Sequence, residues 1–244
     1  MANLTRYARN MEKEGITLDI QERLITSRVL VMGVGGLGSG VIMNLAAIGV
    51  GQIKIVDCDV VNETDLNRQI IHKYKNIGRA KVMSAKDWIQ EYNPDIKVEL
   101  DKTNLNELNY FNVIDGYDII VDCFDSYESK YMLNEIALRH KKILVHGSVQ
   151  AYCGQVTTIV PDKTGCLGCV MPKPKNFNQE KLASFSPVVN TISALQAQEV
   201  LKILTGYGEP LLNKLLVFDG INSSFKVLNY SKNIICDECS GDEY

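Results

Sequence analysis

Residues 28–38, which read RVLVMGVGGLG, decide the predicted fold of the first part of this chain. Arg28–Met32 is a mostly apolar, β-rich run that is typical of a buried parallel strand. The glycines that follow permit a tight turn, and Leu37–Ile48 then has apolar residues at helical spacing. A strand, a glycine turn and a helix in this order predict the first unit of a parallel α/β fold.

Strands and helices alternate on both sides of this unit. Helices are predicted at residues 19–26, 79–92 and 127–140, and strands at Gln52–Val56, Ile96–Leu100, Asp118–Cys123 and Lys142–His146. The alternation predicts a doubly wound, Rossmann-like and mostly parallel sheet.

The pattern changes after Gly147. Strands are predicted at Cys153–Val160, Lys214–Phe218 and Phe225–Asn229, a long helix at Pro187–Leu204, and a mobile loop at residues 170–186, which contain prolines and lysines. These later strands should extend the sheet in antiparallel fashion. We expect one domain over residues 1–244, with one half at 1–150 and a second half at 151–244.

Composition excludes several classes of function. The 244 residues carry a formal net charge of −3, so no basic excess is present to neutralise the phosphates of a nucleic acid. The sequence has no run of about 18 apolar residues that would span a membrane. Residues 1–6 lack the apolar core of a signal peptide, so a cytoplasmic protein is expected.

Four of the seven cysteines form two Cys-x-x-Cys pairs, Cys166/Cys169 and Cys236/Cys239. Four thiolates are the ligand set of a tetrahedral structural zinc site and leave no open position for catalysis. We therefore predict a zinc ion that joins two distant parts of the chain; the alternative is a set of reduced thiols without metal. Of the other cysteines, Cys58 and Cys123 are expected to pack as small hydrophobic residues and Cys153 to be exposed.

A nucleotide site is predicted from four polar residues that follow the glycine run. Asp57 ends the second predicted strand, 24 residues after Gly33, where a carboxylate can bind ribose hydroxyls. Arg68 and Lys81 could neutralise a triphosphate, and Asp125 follows the fourth predicted strand, where it could hold Mg²⁺. The residues alone leave other interpretations open: tight helix packing for the glycines, surface charges for the cations, and a helix N-cap for Asp125.

The sequence resembles the ThiF/MoeB/HesA family, the bacterial relatives of ubiquitin-activating enzymes, along essentially its whole length. The motifs that carry the resemblance are RYARN at 6–10, the glycine run, DCD at 57–59, NRQ at 67–69, GRAK at 78–81, DCFD at 122–125, GQVT at 154–157, CLGC at 166–169, SALQA at 193–197 and CDEC at 236–239.

The resemblance implies ATP-dependent adenylation of the C-terminal glycine of a small ubiquitin-fold sulfur-carrier protein that ends in Gly-Gly, for thiamine- or molybdopterin-type biosynthesis. The acyl-adenylate would then react with a sulfur donor protein. Residues implied at the nucleotide are Gly33, Gly35, Gly36, Leu37, Gly38, Asp57, Asp59, Asn67, Arg68 and Lys81. Asp125 would coordinate Mg²⁺, and Arg9 would reach the triphosphate of a neighbouring subunit in a homodimer.

The sequence departs from many family members in residues 170–186, which contain no cysteine; Asn178 stands nearest to the position where they carry one. We therefore expect direct transfer from the acyl-adenylate and no covalent thioester. The three histidines, His72, His140 and His146, are interpreted as surface or packing residues. Two other functions remain open at this point: an NAD-dependent oxidoreductase, and a non-catalytic module that binds a ubiquitin-fold partner.

Overall fold

The computed structural model describes residues 4–12, 15–103, 110–171, 173 and 183–240. The strands are β1 (Arg28–Met32), β2 (Gln52–Val56), β3 (Lys97–Asp101), β4 (Ile119–Asp122), β5 (Ile143–Gln150), β6 (Cys153–Ile159), β7 (Lys214–Asp219) and β8 (Ser224–Asn229). The helices are α1 (Leu18–Thr26), α2 (Gly36–Ile48), α3 (Lys81–Tyr92), α4 (Tyr110–Ile114), α5 (Tyr127–Arg139), α6 (Leu167–Val170) and α7 (Ser186–Thr205). A 3₁₀ segment, Leu4–Met11, precedes them.

All eight strands form one sheet in the order β3-β2-β1-β4-β5-β6-β7-β8. The first five strands are parallel, and β6, β7 and β8 continue the sheet in antiparallel fashion. Met32 on the central strand pairs with Val56 on one side and with Asp122 on the other, so the carboxyl ends of β1, β2 and β4 meet at one edge. The predicted doubly wound fold with an antiparallel extension is confirmed.

Two apolar cores cover the two faces of the sheet. On one face, β-strand residues pack with α2, α3 and α7; Ile42, Ile89 and Ile192 are fully buried there. On the other face, α4, α5 and α6 pack against β4 and β5, with Leu133 and Leu167 fully buried. Burial on both faces explains the apolar runs Val29–Met32 of β1 and Ile119–Val121 of β4.

Close packing of α2 on α7 places the start of α7 beside the glycine turn. A Cβ atom at Gly40 would overlap the side chain of Ser193, and one at Gly36 would lie 2.9 Å from Val189. The glycines in the first two turns of α2 therefore permit the approach of a second helix, in addition to any role at a ligand.

The sequence predicted the bounds of β1 and β2 correctly and misplaced those of other elements. Strand β5 continues past His146 to Gln150, because Gly147–Gln150 pair with β6. The predicted mobile loop differs at both ends: Val170 ends helix α6, and Ala151 donates a hydrogen bond to Ala183 O. Residues 172 and 174–182 of that loop, including Asn178, lie outside the described residues. Among the helices that the structure describes, none is long and apolar enough to cross a membrane.

Candidate functional site

The glycine turn after β1 is held against the end of β4 and against Asp57. Gly33 has φ +94°, a conformation that favours glycine, and a Cβ atom there would lie 2.9 Å from Cys123 O. The backbone N–H of Val34 donates to Asp57 Oδ2 at 2.7 Å, and that of Asp59 donates to Asp57 Oδ1 at 2.8 Å. The half-buried Asp57 carboxylate is thus fixed at the mouth of the turn, where the sequence predicted it.

Lys81 is a buried cation beside this carboxylate. Its side chain is 7% exposed, and Nζ lies 2.9 Å from Asp59 Oδ2 and 3.9 Å from Asp65 Oδ2. Burial alone would lower the pKa of Lys81, but the Asp59 hydrogen bond and the charges of Asp57, Asp59 and Asp65 outweigh burial and raise it. Lys81 is therefore positively charged at neutral pH, and its interpretation as a solvated surface charge is wrong.

Arg68 lies on the turn that follows a short 3₁₀ segment, Glu63–Asp65. Its guanidinium donates to Thr64 O and to Asn67 Oδ1, both at 2.9 Å, and lies 3.6 Å from Asp65 Oδ1. Asp65 therefore links Arg68 to Lys81 and brings the two predicted phosphate ligands into one cluster. No pattern in the sequence indicates this role for Asp65.

His72 connects the glycine turn to α3. Its Nε2 lies 3.2 Å from Val34 O and its Nδ1 lies 2.9 Å from Ser84 Oγ. Burial lowers the pKa of His72, so the neutral ring donates from Nε2 to the carbonyl and accepts at Nδ1. His72 is a packing residue, as predicted. By contacting both Val34 and Ser84, it also holds the glycine turn at a fixed distance from α3, which begins at Lys81.

The end of β4 carries a buried ionic network below an exposed aspartate. Asp122 is fully buried; its Oδ2 lies 2.7 Å from His146 Nδ1 and 3.3 Å from Lys130 Nζ, and Lys130 also donates to Gly147 O at 2.7 Å. Burial opposes ionisation of Asp122, but Lys130 and His146 together lower its pKa. The network ties β4, β5 and α5 together directly beneath the rim of the site.

Asp125 is exposed at that rim, three residues after the buried Asp122. Helix α5 is capped by Ser126, whose Oγ accepts from Ser129 N at 3.1 Å. The alternative interpretation of Asp125 as the cap is therefore wrong. Gly33 contacts the backbone at Cys123, so Asp125 leaves β4 on the side where the glycine turn lies.

Replacing Lys130 with methionine is expected to destabilise the fold by about 2 kcal/mol, less than a fully unpaired charge costs because His146 can take up a proton. Burial lowers the pKa of His146, and Lys130 contributes to that lowering. In the variant the pKa of His146 should rise above its unfolded value, so stability is lost as the pH increases. Urea unfolding at pH 5.5 and pH 8 should show the larger deficit at pH 8.

A matched control is Lys142→Met, which removes a partly exposed pair with Asp118 at 3.8 Å. That change should cost well under about 1 kcal/mol at both pH values. Equal deficits for Lys130→Met at the two pH values would contradict proton uptake by His146.

Arg9 is far from the site of its own chain. The 3₁₀ segment that carries it is fixed by Tyr7, which contacts Gly49 after the end of α2 and accepts a hydrogen bond from Asn93 at 2.9 Å. The glycine turn lies at the opposite end of α2, about 20 Å away at 1.5 Å per residue. Arg9 is exposed and pairs with Glu12 at 2.9 Å, so only a second subunit could bring it to a nucleotide.

The four paired cysteines converge as predicted. Their sulfur atoms lie within 4.8 Å of one another, with Cys166–Cys236 at 3.6 Å, Cys169–Cys239 at 3.5 Å and Cys166–Cys169 at 3.9 Å. Tetrahedral zinc with Zn–S bonds of about 2.3 Å places its sulfurs about 3.8 Å apart. The residues therefore fit a zinc ion, which would supply a structural cross-link between two segments 70 residues apart.

For the three remaining cysteines, two predictions of burial or exposure are confirmed and one is wrong. Cys123 is buried and Cys153 is exposed, as expected. The prediction for Cys58 is wrong, because Cys58 is exposed. Strand β2 ends at Val56, and the chain turns so that both Asp57 oxygens meet backbone donors, which leaves the next side chain outside the core.

The chain belongs to the ThiF family, whose profile matches residues 7–238. It is 35% identical over 240 residues to the SAMP-activating enzyme E1 of Haloferax volcanii, covering 97% of this chain and 88% of that protein. It is 33% identical to the sulfur carrier protein adenylyltransferase of Thermus thermophilus, covering 98% and 92% of the two chains. It is 36% identical to the probable adenylyltransferase/sulfurtransferase MoeZ of Mycobacterium tuberculosis, but spans only 61% of that protein.

Solved structures of MccB from E. coli have a fold similar to that of this chain. MccB of E. coli, crystallised with ATP, superposes with a TM-score of 0.88 at 27% identity, covering 98% of this chain and 74% of that one. MccB with AMPCPP and the peptide MccA superposes equally well, covering 97% and 75%. The predicted family is therefore confirmed.

Proposed function

We propose that this protein adenylates the C-terminal glycine carboxylate of a small ubiquitin-fold sulfur-carrier protein, forming an acyl-adenylate and pyrophosphate from ATP. The observation that carries the proposal is the buried cation Lys81. It lies close to the glycine turn and is kept charged by Asp57, Asp59 and Asp65. A dinucleotide site for hydride transfer has no need of a buried cation there, because backbone N–H groups already bind a pyrophosphate. Relatives named as adenylyltransferases, above 30% identity, support the proposal.

The reaction requires the protein mainly to align the two reactants and to neutralise negative charge. The carrier carboxylate is already a nucleophile near neutral pH, so no general base is needed. Its oxygen attacks the α-phosphorus, and the bond to the β-phosphate oxygen breaks. In this proposal Asp57 binds the ribose, and Lys81 and Arg68 neutralise the charge that develops on the leaving pyrophosphate.

The other residues of the glycine turn and its surroundings have supporting roles in this proposal. Backbone N–H groups at residues 35–38, around the start of α2, bind phosphate. Asn67 orients Arg68 through their hydrogen bond, and Asp59 holds Lys81. Asp125 would hold Mg²⁺, which supplies charge neutralisation at the phosphates when it is bound.

A homodimer would complete the site. Arg9 lies at the far end of α2, and within the described part of the chain its ion-pair partner is the exposed Glu12, so it is available to a neighbouring subunit. We also propose that the carrier serves thiamine- or molybdopterin-type biosynthesis and that the adenylate reacts with a sulfur donor protein; the family relationship supports both proposals.

The test is exchange of labelled pyrophosphate into ATP in the presence of magnesium and a carrier protein that ends in Gly-Gly. Exchange should require the carrier and should disappear when the carrier lacks its last glycine. Absence of exchange with every such carrier, together with hydride transfer to a nicotinamide, would replace the proposal with an oxidoreductase.

Replacing Lys81 with methionine is expected to lower kcat/KM for ATP by about 30- to 100-fold, because a fixed positive charge at the leaving group is lost. Pyrophosphate exchange at varied ATP concentration measures this. Lys73→Met is the matched control: Lys73 makes an exposed pair with Glu91 at 2.9 Å, and its loss should leave kcat/KM within about twofold. An equal loss in both variants would remove Lys81 from its assigned role.

A further inference from the structure

Asn134 is a buried polar residue on α5 that touches both cysteine pairs through one amide group. It is fully buried. Its Oδ1 accepts a hydrogen bond from Leu167 N at 3.0 Å, and its Nδ2 donates to Glu238 Oε2 at 2.6 Å. Leu167 lies between the two cysteines of the first pair, and Glu238 lies between the two cysteines of the second.

The two cysteine-bearing turns are also linked directly, since the backbone N–H of Gly168 donates to the Glu238 carboxylate. Apart from contacts among their sulfurs, Asn233 N lies 3.3 Å from Cys169 Sγ, and Cys166 Sγ lies 3.9 Å from Glu238 Oε2. The amide of Asn134 is planar and rigid, so a donor and an acceptor on its two sides are held at a fixed separation. That separation sets how far apart the sulfurs of the two pairs lie before a metal arrives.

Helix α5 is itself firmly anchored next to Asn134. Lys130 lies four residues earlier on the same helical face and binds Asp122 and Gly147 O. The amide therefore attaches both cysteine turns to a helix whose position is fixed by the buried network at the end of β4.

We propose that Asn134 is a positioning residue of the zinc site. It holds the two Cys-x-x-Cys turns at the spacing that four-coordinate zinc requires, and it thereby slows the loss of the metal. Residues that orient metal ligands typically change metal affinity by 10- to 100-fold when they are removed, which sets the scale of the effect.

The first experiment measures the rate at which the zinc-loaded full chain gives up zinc to an excess of a chromogenic chelator. Asn134→Leu keeps the size of the side chain and removes both hydrogen bonds. Zinc release should be about 10- to 100-fold faster, while a freshly loaded sample still contains one zinc per chain. Glu128→Ala, an exposed change in the first turn of α5, is the control and should release zinc at the wild-type rate.

A rescue experiment separates positioning from a general loss of stability. Asn134→Asp still accepts from Leu167 N, but it places a carboxylate against Glu238 and should also speed zinc release. Adding Glu238→Gln reverses the direction of the hydrogen bond, since the new amide can donate to the aspartate, and should return the rate to within about threefold of wild type.

The pair of aspartate variants decides the matter if Asn134→Leu fails to fold. Release at the wild-type rate from Asn134→Asp, or no slowing when Glu238→Gln is added, would overturn the proposal. The readout does not involve adenylation, so its outcome is independent of the proposed enzymatic function.

Discussion

Replacing Asp125 with alanine is expected to reduce carrier-dependent pyrophosphate exchange by at least about a hundredfold. Asp125 is exposed at the carboxyl end of β4, next to the glycine turn, and the variant would lose the carboxylate that we assign to Mg²⁺. Nothing in the core depends on it, because the cap of α5 is Ser126 and the buried charge is Asp122. The elution volume in size-exclusion chromatography and the melting temperature should therefore be unchanged.

Asp118→Ala is the matched control for this experiment. Asp118 is exposed just before the opposite end of the same strand, and its carboxylate lies 3.8 Å from Lys142 Nζ. It should retain full exchange activity. Unchanged turnover in Asp125→Ala would remove magnesium from its assigned ligand, and a lower melting temperature would show that the residue has a structural role instead.

Replacing Cys236 with serine is expected to cost more stability than any other single change considered above. Cys236 is buried, and its sulfur lies 3.6 Å from Cys166 Sγ. Loss of one thiolate should reduce the zinc content to well under half an equivalent, since binding of a structural zinc is part of the folding free energy. For a chain of this size, a loss of about 3–4 kcal/mol lowers Tm by roughly 10 °C.

The expected loss is confined to stability. The cysteine cluster packs against α5 and α6, whereas Lys81 and Asp57 lie on the β2 side of the sheet. The KM for ATP of the folded variant should therefore stay within about threefold of wild type. Cys153→Ser changes an exposed thiol and should alter neither zinc content nor melting. Full zinc content and wild-type melting in Cys236→Ser would contradict a cross-linking metal.

A feature could be predicted from the sequence where a single short segment contains the whole pattern. Strands β1 and β2 are short segments rich in β-branched and apolar residues that end at a glycine or an aspartate, so their bounds could be predicted. The convergence of the four paired cysteines could be predicted because each Cys-x-x-Cys pair is a short motif typical of a metal site. Asp57 and Asp125 are predicted from their places after strands, and Arg68 and Lys81 from their places after Asp57, helped by the family resemblance.

Contacts between distant segments could not be predicted in the same way. Asp122, Lys130 and His146 form one network, but each looked like an ordinary member of its own strand or helix. The pairing of Asn134 with Glu238 spans 104 positions and leaves no local pattern. The exposure of Cys58 depends on how the backbone turns around Asp57, which hydrophobicity alone does not reveal.

The wide separation of the two cysteine pairs has a consequence for how the protein is made. Between Cys166 and Cys236 the chain contributes α7, β7 and β8, so the last strands of the sheet are synthesised before the second pair of thiolates exists. On the ribosome, a zinc ion could be bound by all four thiolates only after the residues of these strands have been synthesised. A zinc cross-link would therefore form late in the synthesis of the chain.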